Sequence, residues 1–209
     1  MIELWHCEGA RSFRALWALE ELLLPYKLHM LPFPPRALRK EYLEINPLGT
    51  IPFLLDGDVR MTESGAIPQY LATRYGPSDL AVAPDEADYG AYLNWLHHGE
   101  ATLTFPQTLW LRYVLFEKDS PYAQVGLDYR KWFLSRLRML DAALADGRKY
   151  LCAGRFTMAD IVTAYAIHLA KITQSREFIA PHVLAWHDAL RERPAFKRAR
   201  AAEKSPVEA

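Results

Sequence analysis

The rhythm of apolar and polar positions divides the chain into an alternating first third and a helical remainder. Ile2-Glu3-Leu4-Trp5 reads as a short strand. Over residues 12–24 the period becomes helical, with Phe13, Leu16, Trp17 and Glu20 three or four apart, and Pro25 stops the run. Residues 26–31 alternate as a second strand, and 36–45 carry a short polar helix. Residues 51–55 form an apolar run with Pro52 near its start. A proline cannot donate to a central ladder, so this strand begins there or lies at an edge. Asp56-Gly57 is a strong hairpin signal, with residues 59–61 as the returning strand. Residues 64–75 then place Ile67, Tyr70, Leu71 and Tyr75 on one helical face, and Gly76-Pro77 ends it. The predicted order is βαβ-α-ββα.

Residues 76–85 show no periodicity and read as a linker, so domains are expected over 1–77 and 86–209. Everything after the linker is helical. Tyr89, Leu93, Leu96, Glu100 and Leu103 share one stripe, broken at Pro106. Tyr129, Phe133, Leu137, Leu140 and Leu144 share another. Thr157-Met158-Ala159-Asp160 is a capping box, in which Thr157 serves the Asp160 N–H and Asp160 reaches back. Phe156 and Ile161 occupy the hydrophobic-staple positions. That makes Asp160 a structural residue rather than a catalytic one.

Composition narrows the function. In 209 residues, 25 Lys and Arg balance 25 Asp and Glu, so no basic field is offered to nucleic acid or to an anionic membrane. The two cysteines, Cys7 and Cys152, are far apart; neither a dithiol motif nor a disulfide framework is expected. No apolar run approaches a membrane span, and strand-like residues begin at Ile2 rather than after a leader. A soluble, cytoplasmic protein without membrane partners is the expectation. His97-His98 has no Cys or His partner at ligand spacing, so no metal is expected.

One stretch is more specific. Asn46-Pro47-Leu48-Gly49-Thr50-Ile51-Pro52-Phe53-Leu54, a hairpin, and then Glu63-Ser64-Gly65-Ala66-Ile67 resemble the glutathione transferase superfamily. Its pattern is N-P-x-G-x-[IV]-P-x-L followed by E-S-x-A-I. Arg193-Pro194-Ala195-Phe196 also looks like that family's terminal helix connection. The resemblance implies an α/β thioredoxin-like N-terminal domain followed by an all-α C-terminal domain. It implies glutathione as co-substrate, a homodimer, and transfer of the glutathione thiolate to a small hydrophobic electrophile. Isomerase, dehalogenase or peroxidase chemistry on the same fold, or binding without catalysis, are the alternatives.

The resemblance also assigns residues. Glutathione binding falls to Thr50, Ile51, Pro52, Glu63 and Ser64, with the Ile51–Pro52 bond cis. Ser64 would face the γ-glutamyl carboxylate at a helix N-terminus, and Glu63 the ammonium. Taken alone, Ser64 reads as a helix cap and Glu63 as a surface acid. In the family the thiol-activating donor lies between the first strand and the first helix, here His6 to Arg14. That loop contains no tyrosine. The cysteine-type register puts Arg11 where the cysteine would stand, and the serine-type register, anchored on Arg14, puts Ala10 where the serine would stand. Ser12 is the nearest hydroxyl and Arg11 a cationic donor beside it; these two are the catalytic candidates. Ser12 reads equally as a helix N-cap, and Arg11 as a solvated charge. Cys7 reads as an inert small hydrophobe. Phe105, Trp110 and Tyr113 are candidates for an electrophile pocket, although such spacing also suits a core.

Overall fold

The computed structural model describes residues 1–207, in two compact units. The first holds Met1–Ser78 and the stretch from Arg191 onward; the second is Asp79–Leu190.

The first unit is thioredoxin-like. Strands β1 (Ile2–His6), β2 (Tyr26–Met30), β3 (Phe53–Asp56) and β4 (Val59–Met61) form one sheet in the order β2-β1-β3-β4. β1 runs parallel to β2 and antiparallel to β3, with Trp5 opposite Phe53. A parallel pair needs a crossover, and helix α1 (Phe13–Glu21) supplies it. Two short turns of helix follow β2, α2 (Pro35–Leu38) and α3 (Tyr42–Ile45), where the polar periodicity suggests one helix. In the β3–β4 hairpin Asp56 still pairs with Val59. The turn is therefore Gly57-Asp58, one residue later than expected, with Gly57 at φ 59°.

Helix α1 is buried from Phe13 to Leu19, Arg14 included. A helix without a clean polar face has neighbours on several sides. Here they are β1, helix α4 (Ala66–Arg74) and the terminal helix α10 (Pro194–Ala202). Phe196 of α10 meets Phe13 and Trp17 edge-on at 5.3 and 4.9 Å, pairs that contribute about 0.5–1.5 kcal/mol each beyond area burial. Arg193 clamps Glu21 with two bonds, 2.7 and 2.8 Å. These anchors join the terminal helix to the first unit, whereas its position in the sequence suggests the helical one. Helix α1 stops at Glu21, before Pro25, because Leu23 takes φ 53° and the Leu24 N–H closes onto Leu19 O at 3.1 Å, a Schellman-type end built without glycine.

The second unit is helical. A rod runs from α5 (Tyr89–His97) through a π-helical stretch (His98–Thr104), α6 (Phe105–Trp110) and a second π-helical stretch (Leu111–Phe116). Pro106 does not break it. The turn before Pro106 is widened, with the Phe105 N–H bonded to Glu100 O five residues back, and Pro106 stands in the first turn of α6, where its missing N–H is tolerated. The rod buries Tyr92, Trp95, Leu96, Gly99 and Leu103, a face rotated from the stripe read in the sequence. Gly99 lies against Thr163, where an added Cβ would stand 3.0 Å from that residue's backbone atoms. The other helices are α7 (Ala123–Leu144), α8 (Met158–Leu169) and α9 (Pro181–Arg191). α7 buries Phe133, Leu137, Leu140 and Leu144, as its stripe predicts. α8 is almost wholly buried, and the capping box at its start is formed. Asp160 accepts the N–H groups of Thr157 at 2.8 Å and Leu151 at 2.9 Å.

Candidate functional site

The end of β1, the start of β3 and the N-termini of α1 and α4 meet at one end of the sheet. Pairing of Trp5 with Phe53 sets residues 51 and 52 beside the segment that leaves β1. A hydrogen bond from Arg14 Nη1 to Ser64 Oγ, 2.9 Å, joins the two helix starts.

The Ile51–Pro52 peptide is cis. Ile51 precedes the last β1–β3 pair, so its backbone lies outside the ladder. The peptide before it is held firmly, because Thr50 O accepts from Tyr42 Oη at 2.7 Å and Asn46 Nδ2 at 2.8 Å. Burial pushes the Tyr42 hydroxyl up to about 12, which keeps it a donor. Asn46 Oδ1 also accepts from Leu48 N–H at 3.2 Å, and Gly49 takes φ 59°. A Cβ at Gly49 would stand 2.7 Å from Arg36 Cβ. Asn46 and Gly49 thus shape the turn that delivers Thr50 and Ile51. The sequence marks this turn, but not the roles of Tyr42 and Asn46 in holding Thr50.

Ser64 is 4% exposed and Glu63 is exposed. Helix α4 starts one residue later than a Ser64 cap requires: Gly65 holds the cap position and makes no side-chain cap bond. The Ser64 hydroxyl instead accepts from Arg14, a guanidinium with no exposed surface. A buried cation needs polar partners, and this one lies behind a helix N-terminus, where partial positive charge already favours an anion. The sequence marks Arg14 as the anchor of the serine-type register and as a charge among Phe13, Leu16 and Trp17, but not its burial or its bond to Ser64.

The segment from Cys7 to Ser12 is wound into turns, with Ala10 N–H on Cys7 O at 3.1 Å and Phe13 N–H on Ala10 O at 2.9 Å. Ala10 packs on the cluster of Trp5, Cys7, Leu31, Tyr42 and Phe53. Ser12 is completely buried, and its Oγ accepts the Cys7 N–H at 3.4 Å. It stands at the N-cap of α1 yet makes no side-chain cap bond. Arg11 is half-buried and is the more accessible of the two catalytic candidates. The Cys7 thiol is fully buried and donates to Pro32 O at 3.6 Å; burial pushes it up to about 12, so it holds its proton.

The pocket candidates lie in the second unit and differ in exposure. Phe105 is exposed, Tyr113 is half-buried with its ring 5.7 Å from Tyr122, and Trp110 is core. Among the described residues no group of three His, Cys, Asp or Glu is placed to hold a metal.

Residues 4–79 match the model of the glutathione S-transferase N-terminal domain, and residues 133–189 that of the C-terminal domain. Glutathione S-transferase 3 of Zea mays is 33% identical over 172 residues, covering 78% of this chain and 75% of the maize protein. Glutathione S-transferase 3 of Schizosaccharomyces pombe is 28% identical over 212 residues, covering 94% and 86%. Among solved structures, a glutathione transferase of Phanerochaete chrysosporium in complex with oxidised glutathione superposes with a TM-score of 0.81 at 27% identity, over 97% of this chain and 96% of that one. With both domain models matched and relatives aligned along most of its length, the chain belongs to the glutathione S-transferase family.

Proposed function

We propose that this protein binds glutathione in its first unit and transfers the thiolate to a small hydrophobic electrophile. The observation that carries this reading is the gathering of Thr50-Ile51-Pro52, Glu63-Ser64 and the Cys7–Ser12 segment at one end of the sheet. In this reading the Ile51 backbone pairs with the cysteinyl amide. Ser64 and the start of α4 take the γ-glutamyl carboxylate with Arg14 behind them, and Glu63 takes the ammonium. Arg11 is the donor that favours thiolate over thiol, and Ser12 holds the Cys7 peptide from behind. Lowering a thiol pKa by about two units corresponds to about 2.7 kcal/mol of preferential thiolate stabilisation, within reach of a cation beside a helix N-terminus. The thiolate sulfur then attacks the electrophilic carbon, and the carbon–sulfur bond forms as the leaving group departs with its electron pair. On the second unit, Phe105 and Tyr113 are the apolar residues with exposed surface among the pocket candidates, and Trp110 belongs to that unit's core. The active form is a homodimer, tested by light scattering at micromolar concentration; a monomer mass overturns that part.

A second reading, binding without catalysis, is favoured by one specific observation. In the serine-type and cysteine-type registers that the resemblance implies, Ala10 and Arg11 stand where the nucleophile would, and the nearby hydroxyl of Ser12 is buried. Calorimetry with glutathione and turnover of an aryl halide decide between them. Binding with glutathione-dependent turnover supports transfer, and binding alone supports the second reading. Absence of both overturns the two together.

A further inference from the structure

Glu203, the C-cap residue that follows α10, is 1% exposed. A carboxylate at a helix C-terminus meets partial negative charge, so its own helix does not account for it. Its partners lie elsewhere. Glu203 Oε2 accepts the backbone N–H of Gly9 at 3.0 Å and stands 3.4 Å from Nε2 of the fully buried His6. Oε1 receives Arg200 Nη1 from the preceding turn of α10. His6 ends β1, and Gly9, at φ 69°, is where the chain turns towards Arg11. A buried acid with two hydrogen-bond donors, and the His6 ring beside it, is thus committed to the peptide at the root of the loop proposed to activate the thiol. Burying a charge is costly unless hydrogen bonds and opposite charge offset it, and the offsetting groups here are His6, Gly9 and Arg200.

We infer that Glu203 is a positioning residue: through the Gly9 N–H, the terminal helix fixes the backbone course of the Cys7–Ser12 segment and with it the approach of Arg11 to the glutathione sulfur. The inference rests on the proposed glutathione site. The residues assigned to glutathione's backbone and carboxylates, Ile51, Glu63 and Ser64, lie on other segments. Loss of the tether therefore affects thiol ionisation and kcat, and leaves glutathione affinity nearly unchanged.

The test compares Glu203→Ala and Glu203→Gln with wild type in the full-length protein. Gln retains an acceptor for Gly9 and loses the charge, so it serves as the conservative partial rescue and stands in for Ala if that variant does not fold. Three readouts are taken: amide exchange at Gly9, the pH at which bound glutathione absorbs as thiolate, and kcat against glutathione Kd. In Glu203→Ala, Gly9 exchange should rise about tenfold or more, with the amides of α4 unchanged. The thiolate titration should move to higher pH, and kcat should fall about tenfold with Kd within about twofold. Wild-type titration and kcat in a variant whose Gly9 amide exchanges freely overturns the positioning role. Equal Gly9 exchange in all three proteins overturns the tether itself. If wild-type protein neither binds nor turns over glutathione, the proposed function fails, and Gly9 exchange alone then decides the tether.

Discussion

Arg14 and Ser64, 50 positions apart, are joined by a buried hydrogen bond of 2.9 Å between the first turn of α1 and the residue preceding the cap of α4. Ser64 therefore contributes to the fold and to the proposed site together. A Ser64 that merely capped its helix would cost about 1 kcal/mol on removal. Because Ser64→Ala also deprives a buried guanidinium of an acceptor, we expect a loss of about 1–3 kcal/mol in denaturant unfolding. Glutathione affinity should fall by a similar amount. Glu63→Gln separates the two effects: Glu63 is exposed, so stability should stay within about 0.5 kcal/mol while glutathione binding weakens. Unchanged affinity in both variants would remove these residues from the site.

Neither thiol should react in the folded protein. Burial pushes Cys7 up to about 12. It also raises Cys152, to about 11, against the opposing bond with Thr157. At neutral pH a disulfide thiol reagent should label the native chain slowly and label two thiols once the chain is unfolded. Cys7→Ala should keep most of any transferase activity. Rapid native labelling with loss of turnover would make Cys7 the reactive group.

Asp160→Ala should destabilise the second unit by about 2–4 kcal/mol, since two buried N–H groups, those of Leu151 and Thr157, lose their acceptor. Asp160→Asn keeps one acceptor oxygen and should cost less. Urea unfolding followed by helical circular dichroism measures both. Equal stability of the three proteins would show the capping box to be dispensable.

Acid should destabilise the protein partly through Glu203. Burial pushes its carboxyl upward, and the neighbouring His6, the Gly9 N–H and the Arg200 charge more than offset this, so it ends below the usual carboxylate value. A depressed folded value means that the unfolded chain takes up the proton first. The stabilisation is complete above the unfolded carboxylate value and is lost as pH falls through the folded one. The wild-type urea midpoint should therefore fall across that acid window more steeply than that of Glu203→Gln. Parallel slopes would remove Glu203 from the acid response.

Local chemistry made much of this fold legible. The strands, the hairpin, the N-P-x-G turn and the Thr157–Asp160 box are contiguous patterns, and each forms within a few residues of its expected position. What escaped depends on residues distant in sequence. The place of Phe196 against α1, the pairing of Arg14 with Ser64 and the hold of Glu203 on Gly9 span 50 to 194 positions, and no periodicity encodes them. Ser12 shows the same limit. A hydroxyl before an apolar helix reads as a cap or a donor, and only the packed structure turns it onto Cys7 N–H. Pro106 failed as a stop signal because a widened turn can absorb a proline, an option the sequence does not advertise.

Because the first unit is completed by residues from Arg191 onward, it cannot finish assembling in the order in which it is synthesised. When residue 78 leaves the ribosome, Phe13 and Trp17 have no Phe196 to cover them, Glu21 lacks Arg193, and Gly9 has no acceptor from Glu203. The sheet waits through the synthesis of the whole helical unit with that face of α1 open to water and to chaperones. Maturation of the nascent first unit is thus timed by the synthesis of α10.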